Sequence, residues 1–538
     1  MLKRTKFNLG DKKAAKRHTA VVGTSRRPFT QYIGTSGVMD EFEWFEDDDL
    51  ETFTSREQCS CEAECAKFLL PFERYDAAKL SKLRKADVLN EDNEIRLMRD
   101  LHAKYLERGL SNGLPSGFVS LDASRPWMCY WILHALYLLK REPTHLYGAV
   151  VHFLSRCQND ETTGGFGGGP GQLSHCAPTY AAVLALCTIG TDEALASISR
   201  AKMYAFFMSV KDPATGAFFM HHDGEVDTRS IYTVLSVSRM LHILTPELTQ
   251  GCAQYIAACQ SYEGGFGGEP GNEAHGGYNF CALAALLILD CTDGIDLEAQ
   301  ECWLQQRQVR LEGGFQGRTN KTVDSCYSFW QGSALALVNI VEQGGSDVAD
   351  LEHFAATNPD ALLDSAASAA GSSDGNVDEI LDLEQVGSPL FRVNDESGEL
   401  SFNQKALQRY VLQCGQSIES EGTGGLRDKP GKGRDFYHSC YALSGLAIAQ
   451  SFALPGTVAG AAGVAAAGAG TGGPGAFALP SKSKSSPAQV FGDLDNILEP
   501  TSAVFNIGLP KLHRALHYFA AQPRWTHDEM LALAAAER

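Results

Sequence analysis

The sequence predicts an all-α protein made of paired helices, and the main observation behind this prediction is a repeated loop-and-helix unit. Each unit begins with a glycine-rich turn and continues into an apolar stretch, which in four of the five units is rich in alanine and leucine. The units begin at Gly164, Gly216, Gly264, Gly313 and Gly424, and the first four starts lie 52, 48 and 49 residues apart. Paired helices at a period of about 50 residues indicate a helical repeat array, and if such an array closes on itself its inner helices line a central cavity.

Each unit is expected to contain a loop, an inner helix and an outer helix. The opening is rich in glycine and proline and is not expected to form regular structure. The apolar run that follows has the spacing and the length of a helix. Shorter amphipathic stretches between the units, such as residues 247–260 and 298–307, supply the second helix of each pair.

Two segments interrupt the repeats, and one precedes them. Residues 343–400 are acidic and rich in alanine and serine, and residues 454–496 are of low complexity, so we expect both to be disordered or loosely packed insertions outside the cavity. Residues 1–65 form an N-terminal extension that we expect to be largely flexible, because it carries charge runs and little periodicity. The helical core is then predicted to comprise residues 66–342, 401–453 and 497–538.

The composition limits the possible partners and the location. A formal net charge of −19 over 538 residues argues against nucleic acid, because phosphate backbones attract basic surfaces. A site for a polyanionic ligand must therefore be a local basic pocket. Fifteen cysteines without a regular disulfide framework, and a basic N-terminus without an apolar segment, favour a reducing, cytoplasmic location. No window predicts a membrane span, so we expect no stable membrane insertion.

Chemically capable side chains recur at fixed offsets from the first glycine of each unit, where the inner helix is expected to begin. In a closed array these positions converge on one rim of the cavity. An aspartate at a helix start is more often only an N-cap, so both interpretations stand for each residue. The residues are His175, Asp227, His275, Asp324 and Asp435 at offset 11, Arg229, Cys326 and Tyr437 at offset 13, and Tyr278, Tyr327 and His438 at offset 14.

Three of these residues form a candidate metal site. Asp324 and Cys326 come from one unit and His438 from the next. Carboxylate, thiolate and imidazole together suit zinc, and three protein ligands leave a fourth position open. Zn²⁺ with Asp⁻, Cys⁻ and neutral His sums to zero charge, so an added substrate thiolate would stay electron-rich and nucleophilic. The spacing of Asp324 and Cys326 is a weak signal by itself.

A second candidate is a pocket for a diphosphate. Basic residues cluster just before the metal candidate and at matching places in the last unit, and Arg and Lys are suited to bind phosphate oxygens. The alternative is an ordinary solvated basic loop. The residues are Arg318, Lys321, Lys429, Lys432 and Arg434, with His275 and Arg229 from other units.

Aromatic side chains are concentrated on the same predicted inner helices. Such stripes are more often core than ligand pocket, but beside a diphosphate site they could line a groove for a long hydrocarbon. They are Trp127, Trp131, Tyr232, Tyr278, Tyr327, Phe329, Trp330, Tyr437 and Tyr441. A separate cluster, Cys59, Cys61 and Cys65, is a weaker metal candidate because it lacks a matching second half.

Several long motifs, in order, resemble one family. They are SRPWMCYWILHAL from Ser124, HGGYNFCALAAL from His275, GRTNKTVDSCYSFWQG from Gly317, DKPGKGRDFYHSCYALSGL from Asp428 and LEPTSAVFNIG from Leu498. On these motifs the sequence resembles the protein prenyltransferase family, and within it the beta subunits of the farnesyltransferase type.

The resemblance implies an α/α toroid, a closed barrel of paired helices, and a heterodimer with an alpha subunit. It also implies one Zn²⁺ per beta subunit as a cofactor, Mg²⁺ assisting diphosphate departure, and farnesyl diphosphate as donor. The acceptor would be the cysteine of a C-terminal C-a-a-X sequence, as in small GTPases.

The resemblance also implies roles for individual residues. The metal ligands would be Asp324, Cys326 and His438, and the diphosphate contacts His275, Arg318, Lys321 and Tyr327. The isoprenoid site would comprise Arg229, Tyr232, Gly276, Gly277, Tyr278, Cys281, Ser328, Phe329 and Trp330. Trp127, Trp131 and Tyr437 would contact the peptide, Asp428 would serve Mg²⁺, and Lys429, Lys432 and Asp435 would support these groups.

Rival interpretations remain at the level of the sequence. The related geranylgeranyltransferase type I beta subunits resemble a version with Lys at the Asp428 position and a small residue at the Trp127 position. Both differences favour a 15-carbon donor here, since a bulky Trp127 should shorten the pocket. An inactive scaffold would not need the metal and basic residues, and a terpene cyclase would need an acidic motif within the repeats.

Overall fold

Helices form almost all of the regular structure in the part of the chain that the computed structural model describes. That part comprises residues 51–73, 76–114, 116–159, 163–342, 400–416, 424–451 and 490–536, and it lies within a unit that begins at Glu51.

The helices are numbered in chain order. Those of the first half are α1 (Phe53–Glu73), α2 (Ala77–Lys85), α3 (Arg99–Ser111), α4 (Arg125–Leu138), α5 (Tyr147–Ser155), α6 (Cys176–Ile189), α7 (Asp192–Ala196), α8 (Arg200–Ser209) and α9 (Thr228–Met240). Those of the second half are α10 (Pro246–Thr249), α11 (Cys252–Ala258), α12 (Gly276–Leu289), α13 (Leu297–Gln305), α14 (Tyr327–Glu342), α15 (Gln404–Tyr410), α16 (Phe436–Ser451), α17 (Leu509–Ala520) and α18 (His527–Ala536).

Short elements join these helices. There are 3-10 turns at Ser116–Ser124, Thr144–Leu146 and Leu494–Asn496, and a π-helical turn at Val411–Gly415 continues α15. An antiparallel ribbon pairs β1 (Leu426–Arg427) with β2 (Arg434–Asp435), and Leu426 lies opposite Asp435. This ribbon leads directly into α16.

A closed ring of helices defines the architecture. The helices α4, α6, α9, α12, α14 and α16 each pack against the next, and α16 packs against α4, which closes the ring. The sequences of α6 and α12 are apolar on every face, as expected for helices buried on all sides. Outer helices cover them, with α3 on α4, α5 on α6, α11 on α12, α13 on α14 and α15 on α16. The predicted α/α toroid is therefore confirmed.

The inner helices of the five repeat units begin where the repeat predicts. Each offset-11 side chain accepts a hydrogen bond from a backbone N–H two or three residues further on, at 2.7–3.1 Å. His175, Asp227 and His275 are the N-caps of α6, α9 and α12, so the simple capping interpretation is correct for them. Asp435 directly precedes α16 and bonds to its first turn, whereas Asp324 bonds to Cys326 N–H just before α14 begins. A cap of this kind satisfies an otherwise orphan donor and sets the position of the first turn.

The first glycine of each unit is required by the backbone. Gly264 has φ +100, and a Cβ there would lie 2.1 Å from the carbonyl oxygen of Ala299 on α13. The first glycines of the other four units also have positive φ. The repeated turn therefore holds each loop directly against a neighbouring segment of backbone.

The structure bears on the predicted segments only in part. Residues 343–399 and 452–489, which make up most of the two insertions, lie outside the described residues, as do residues 1–50. The helix α1 crosses the expected end of the N-terminal extension at residue 65. Residue Asn496, placed in the second insertion, is buried and bonds to Ile95 and Leu97. The domain boundaries otherwise stay predictions.

Among the described helices, none combines the length and the apolar character needed to cross a bilayer.

Close packing of α14 against α16 can be tested at Gly445. A Cβ at this position would lie 2.2 Å from the carbonyl carbon of Ser328 and 2.3 Å from its Cβ. We expect Gly445→Ala to lower the free energy of unfolding by about 1–3 kcal/mol, because the helices would have to separate. Denaturant unfolding of the purified protein measures this change.

A helical glycine with free space provides the control. Gly148 in α5 is exposed, and a Cβ there would meet nothing within 4 Å. We expect Gly148→Ala to be neutral or to stabilise the protein by up to about 1 kcal/mol. Equal effects of the two substitutions would contradict the tight contact.

Candidate active site

The three predicted metal ligands meet at the starts of α14 and α16. The carboxylate of Asp324, the thiol of Cys326 and the imidazole of His438 place ligand atoms within 4.8 Å of one another. Cys326 is buried, and Asp324 and His438 are about a fifth exposed. A single cation can therefore contact all three groups from the open side. This donor set fits zinc, which takes N, O and S ligands at about 2.0–2.3 Å.

The orientation of His438 is set by two carboxylates. Its Nδ1 lies 2.6 Å from Oδ2 of Asp435, and its Nε2 lies 3.3 Å from Oδ1 of Asp324. Burial disfavours the charged imidazole, yet the hydrogen bonds to Asp324 and Asp435 outweigh it and raise the pKa of His438 to about 10. The site thus strongly favours positive charge at Nε2, where a divalent cation would replace the proton.

The thiol of Cys326 is held neutral without a cation. Burial, followed by the charge of Asp324, raises the pKa of Cys326 well above its usual range. A nearby metal ion would reverse this preference, because metals bind the thiolate. Without a metal the three side chains are neutral overall, because the protonated His438 balances Asp324 and Cys326 keeps its proton. A bound divalent cation would replace the protons of His438 and Cys326.

A second polar group lies at the start of α12. His275 accepts a hydrogen bond at Nδ1 from Gly277 N–H, and its Nε2 lies 3.0 Å from the hydroxyl of Tyr327. Burial, followed by the charge of Arg318, lowers the pKa of His275 to about 4. A neutral imidazole with Nδ1 accepting must carry its proton on Nε2. His275 therefore donates to Tyr327, and the hydroxyl hydrogen of Tyr327 stays available for a ligand.

The glycines beside His275 allow this arrangement. The N–H of Gly276 donates to the carbonyl of Gly317 at 2.8 Å. A Cβ at Gly276 would lie 2.6 Å from the Gln331 amide and 2.9 Å from the Tyr327 ring. Only glycine leaves room for the two rings to meet at this position.

The predicted basic residues lie around this polar group, and two of them, Arg318 and Arg229, form ion pairs with carboxylates. Arg318 pairs with Glu273 at 3.1 Å, and Arg229 forms a forked pair with the buried Asp227. The guanidinium of Arg229 also lies 5.3 Å from the centre of the Tyr278 ring. Arg318 and Arg229 are each two-fifths or more exposed, so both can reach a ligand from the rim. Lys321 and Lys432 are exposed on their loops.

Asp428 lies beside the metal candidate. Its carboxylate pairs with Lys429, and both side chains are mostly buried. Burial, followed by the charge of Asp324, raises the pKa of Asp428. Its backbone carbonyl accepts a hydrogen bond from Ser325 N–H at 2.9 Å, which joins the two loops. The structure therefore places Asp428 close enough to Asp324 for their charges to interact.

The aromatic side chains of the inner helices form a closed circuit. Successive ring centres lie 4.4–5.7 Å apart. The hydroxyl of Tyr437 also accepts a hydrogen bond from the Trp330 indole. The circuit runs through Trp127, Trp131, Tyr437, Tyr441, Trp330, Phe280, Tyr232 and Tyr180 and returns to Trp127. It joins the predicted peptide-binding residues to part of the predicted isoprenoid site.

Two members of this aromatic circuit were missed by the sequence reasoning. Tyr180 and Phe280 stand sixteen residues after Gly164 and Gly264, and the equivalent position is Tyr232 in the second unit. An aromatic residue at that offset in successive units is the signal that could have found them.

The remaining predicted isoprenoid residues are buried in the ring of helices. Cys281 lies in α12 and Phe329 in α14, where it contacts Phe280 and Tyr441. Ser328 lies against Gly445 at the contact of α14 with α16.

Comparisons with known proteins agree with this architecture. The family model for the prenyltransferase alpha-alpha toroid domain matches residues 97–507. The chain is 40% identical to the protein farnesyltransferase subunit beta of Arabidopsis thaliana over 448 residues, covering 81% of this chain and 85% of that protein. For the subunit of the same name from Pisum sativum the identity is 41% over 406 residues, covering 74% and 89%.

The chain therefore belongs to the prenyltransferase α/α-toroid family. Several relatives that are 35–41% identical to it are named protein farnesyltransferase subunit beta. The geranylgeranyl transferase type-1 subunit beta of Arabidopsis thaliana is 30% identical over 274 residues, covering 45% of this chain and 72% of that protein.

The support that Asp435 gives to His438 can be tested by metal titration. Asp435→Asn keeps an oxygen to cap α16 but removes the charge beside Nδ1 of His438. We expect zinc affinity to fall by about 10–100-fold, because the carboxylate orients the ligand and raises its basicity. Competition with a coloured chelator measures the affinity. Asp296→Asn, at the exposed cap of α13, is the control, and an unchanged affinity in Asp435→Asn would contradict the proposed support.

Proposed function

We propose that this chain is the catalytic beta subunit of a protein farnesyltransferase. It would transfer the farnesyl group of farnesyl diphosphate to the cysteine thiol of a C-terminal C-a-a-X sequence. The observation that carries the proposal is the grouping of Asp324, Cys326 and His438 within 4.8 Å, in a chain similar to farnesyltransferase beta subunits over most of its length. The group lies at the starts of α14 and α16. The neighbouring polar pair of His275 and Tyr327 lies at the starts of α12 and α14.

Asp324, Cys326 and His438 would hold Zn²⁺, which when bound supplies a position at which a substrate cysteine stays a thiolate at neutral pH. Asp324 and Cys326 contribute negative charge, and Asp435 keeps Nε2 of His438 turned toward the group. The half-open environment leaves room for a fourth ligand from the substrate.

The polar rim would hold the diphosphate. Tyr327 offers its hydroxyl hydrogen because His275 occupies the oxygen as a donor. Arg318 would exchange Glu273 for phosphate oxygens, and Lys321 would add a second positive charge. In the transfer, a C–S bond forms as the C–O bond to the diphosphate breaks, and the leaving group departs with the electron pair. Donors at the rim stabilise the charge that grows there.

Asp428 would assist departure of the diphosphate together with Mg²⁺. Its pairing with Lys429 holds the carboxylate in place beside the loop of Asp324. Lys429 and Lys432 would act as supporting charges.

The aromatic circuit would receive the hydrocarbon and the peptide. Tyr232, Tyr278, Cys281, Phe329 and Trp330 would line the isoprenoid, with Arg229, Gly276, Gly277 and Ser328 next to them. Trp127, Trp131 and Tyr437 would face the a-a-X residues. Apolar walls exclude water from the reacting carbon, and holding both substrates in line supplies much of the acceleration.

The proposed assembly is a heterodimer with a farnesyltransferase alpha subunit, active in the cytoplasm. The protein substrates would be C-a-a-X proteins such as small GTPases. The supporting observation is the similarity to relatives named as beta subunits.

The metal role is tested by Cys326→Ala. We expect the variant, co-expressed with an alpha subunit, to lose about one zinc ion per chain and to lose turnover of a C-a-a-X peptide by at least about 100-fold, since a metal ligand is removed. Metal analysis and a farnesylation assay provide the measurements. The exposed Cys291→Ala is the control. Normal zinc content together with normal turnover in Cys326→Ala would refute the assignment.

Donor choice is tested at Trp127. Its ring stacks on Trp131 at 5.5 Å and lies 5.7 Å from Tyr180, so it narrows the aromatic circuit. We expect Trp127→Thr to shift the kcat/KM ratio toward geranylgeranyl diphosphate by about tenfold or more, because the pocket lengthens. A competition assay with both donors measures the ratio. The control is Trp525→Thr, whose ring packs on the Arg200 guanidinium and is not part of the aromatic circuit. This substitution should leave the ratio unchanged. A wild-type preference for geranylgeranyl diphosphate would instead favour the type I geranylgeranyltransferase alternative.

A further inference from the structure

A second group of metal-binding side chains lies outside the candidate active site. The thiols of Cys61 and Cys65 on α1 and the carboxylate of Glu312 place ligand atoms within 4.8 Å of one another. Cys65 and Glu312 are fully buried, and Cys61 is 8% exposed. The two cysteines are four residues apart and so share one face of α1. Glu312, which immediately precedes the glycine turn of the fourth unit, supplies the second half that the sequence of α1 lacks.

The buried carboxyl group of Glu312 has few hydrogen-bond partners. Its Oε1 accepts a hydrogen bond from the Gln58 amide at 3.1 Å. Its Oε2 is buried and has no partner among the N–H and O–H groups of the described residues, and the thiol of Cys61 is in hydrogen-bonding contact with the carboxyl group. A buried carboxylate with few partners is unfavourable, so such a group is usually neutralised, paired or bound to a metal.

A fourth side chain is close to this group. The thiol of Cys414, in the π-helical turn after α15, is in hydrogen-bonding contact with the thiol of Cys65. Its Sγ also lies 4.0 Å from the carbonyl oxygen of Cys65. The same small core contains Cys61, Cys65, Leu69, Val323, Tyr410 and Cys414. A further thiol therefore lies next to Cys65, one of the three.

We propose that Cys61, Cys65 and Glu312 bind a structural Zn²⁺, with Cys414 completing the site. Thiolate ligands select zinc over Mg²⁺ or Ca²⁺, and a closed set of four protein ligands is typical of structural zinc. On binding, the thiols release their protons to solvent, and no oxidation is involved. The proposal does not depend on the proposed function.

The position of the site indicates what the metal would do. Val323, in the same small core, directly precedes the active-site Asp324. The Tyr410 hydroxyl donates to the carbonyl of Asp428 at 2.9 Å. The ring of Phe68 on α1 lies 5.1 Å from the Arg427 guanidinium. A metal at this site would therefore fasten the N-terminal helix to the two loops that carry Asp324 and Asp428.

The experiment is a zinc count on the full-length chain co-expressed with an alpha subunit. We expect about two zinc ions per chain in the wild type and about one in the double variant Cys61→Ser, Cys65→Ser. Glu312→Gln keeps the acceptor for Gln58 but removes the charge, and we expect it to lose the same ion. Cys59→Ser is the matched control, because Cys59 is exposed on the same helix.

A second readout separates metal binding from a general effect on folding. Thermal unfolding with and without a strong chelator should show a large fall in Tm for wild type, Cys59→Ser and Cys326→Ala, and a much smaller fall for the double variant. Should the double variant fail to fold, the same comparison with Glu312→Gln decides the question.

The outcomes that would overturn the inference are distinct from those that test catalysis. A wild type with one zinc that Cys326→Ala removes would refute the second site and leave the proposed function intact. A disulfide among Cys61, Cys65 and Cys414 in the mass of the unreduced protein would also refute it. Loss of zinc in the double variant but not in Cys326→Ala would support the second site and contradict the proposed catalytic one.

Discussion

The hydrogen bond that caps the start of each repeat's inner helix is the constraint on which the site depends. The same side chains that cap these helices are the ones with useful chemistry, because the repeat puts them at one rim. Asp324 shows the double role: Oδ1 accepts from Cys326 N–H and lies 3.3 Å from His438. The cap thereby holds the carboxylate and the thiol in fixed relation, before any metal binds.

The metal candidate and the neighbouring rim at His275 and Tyr327 differ in the sign of the ligand charge that each would hold. The metal candidate concentrates the acids Asp324 and Asp435 around one imidazole, and it favours a cation so strongly that the pKa of His438 rises to about 10. In the proposed function the neighbouring rim holds an anion. There His275 is neutral and donates to Tyr327, and the side chain of Arg318 is partly exposed. In a protein with a net charge of −19, only such local arrangement provides a positive site.

The aromatic circuit serves the fold, and in the proposed function it also receives a ligand. Tyr232 is buried, its hydroxyl donates to the carbonyl of Val504 at 2.7 Å, and its ring contacts Tyr180 and Phe280. Trp330 is partly exposed and is tied to Tyr437. The general expectation that aromatic stripes are core is therefore correct for some members, while others remain open to a ligand. This mixture follows from a ring of helices, since each inner helix has one side toward its neighbours and one toward the centre.

The sequence by itself determined the repeat, the inner helices and the three metal candidates, because a positive-φ glycine, a cap and an apolar run leave a local and periodic signal. The caps at Asp227 and Asp324 were predictable for the same reason. Closure of the ring by α16 on α4 came from the resemblance, not from the repeat, because it depends on packing between distant segments. Only the tertiary structure decided that Glu312 and Cys414 meet Cys61 and Cys65, since residues far apart in the chain share no local pattern. It also decided which group accepts the Nε2 proton of His275, because that acceptor is the hydroxyl of Tyr327 from another helix.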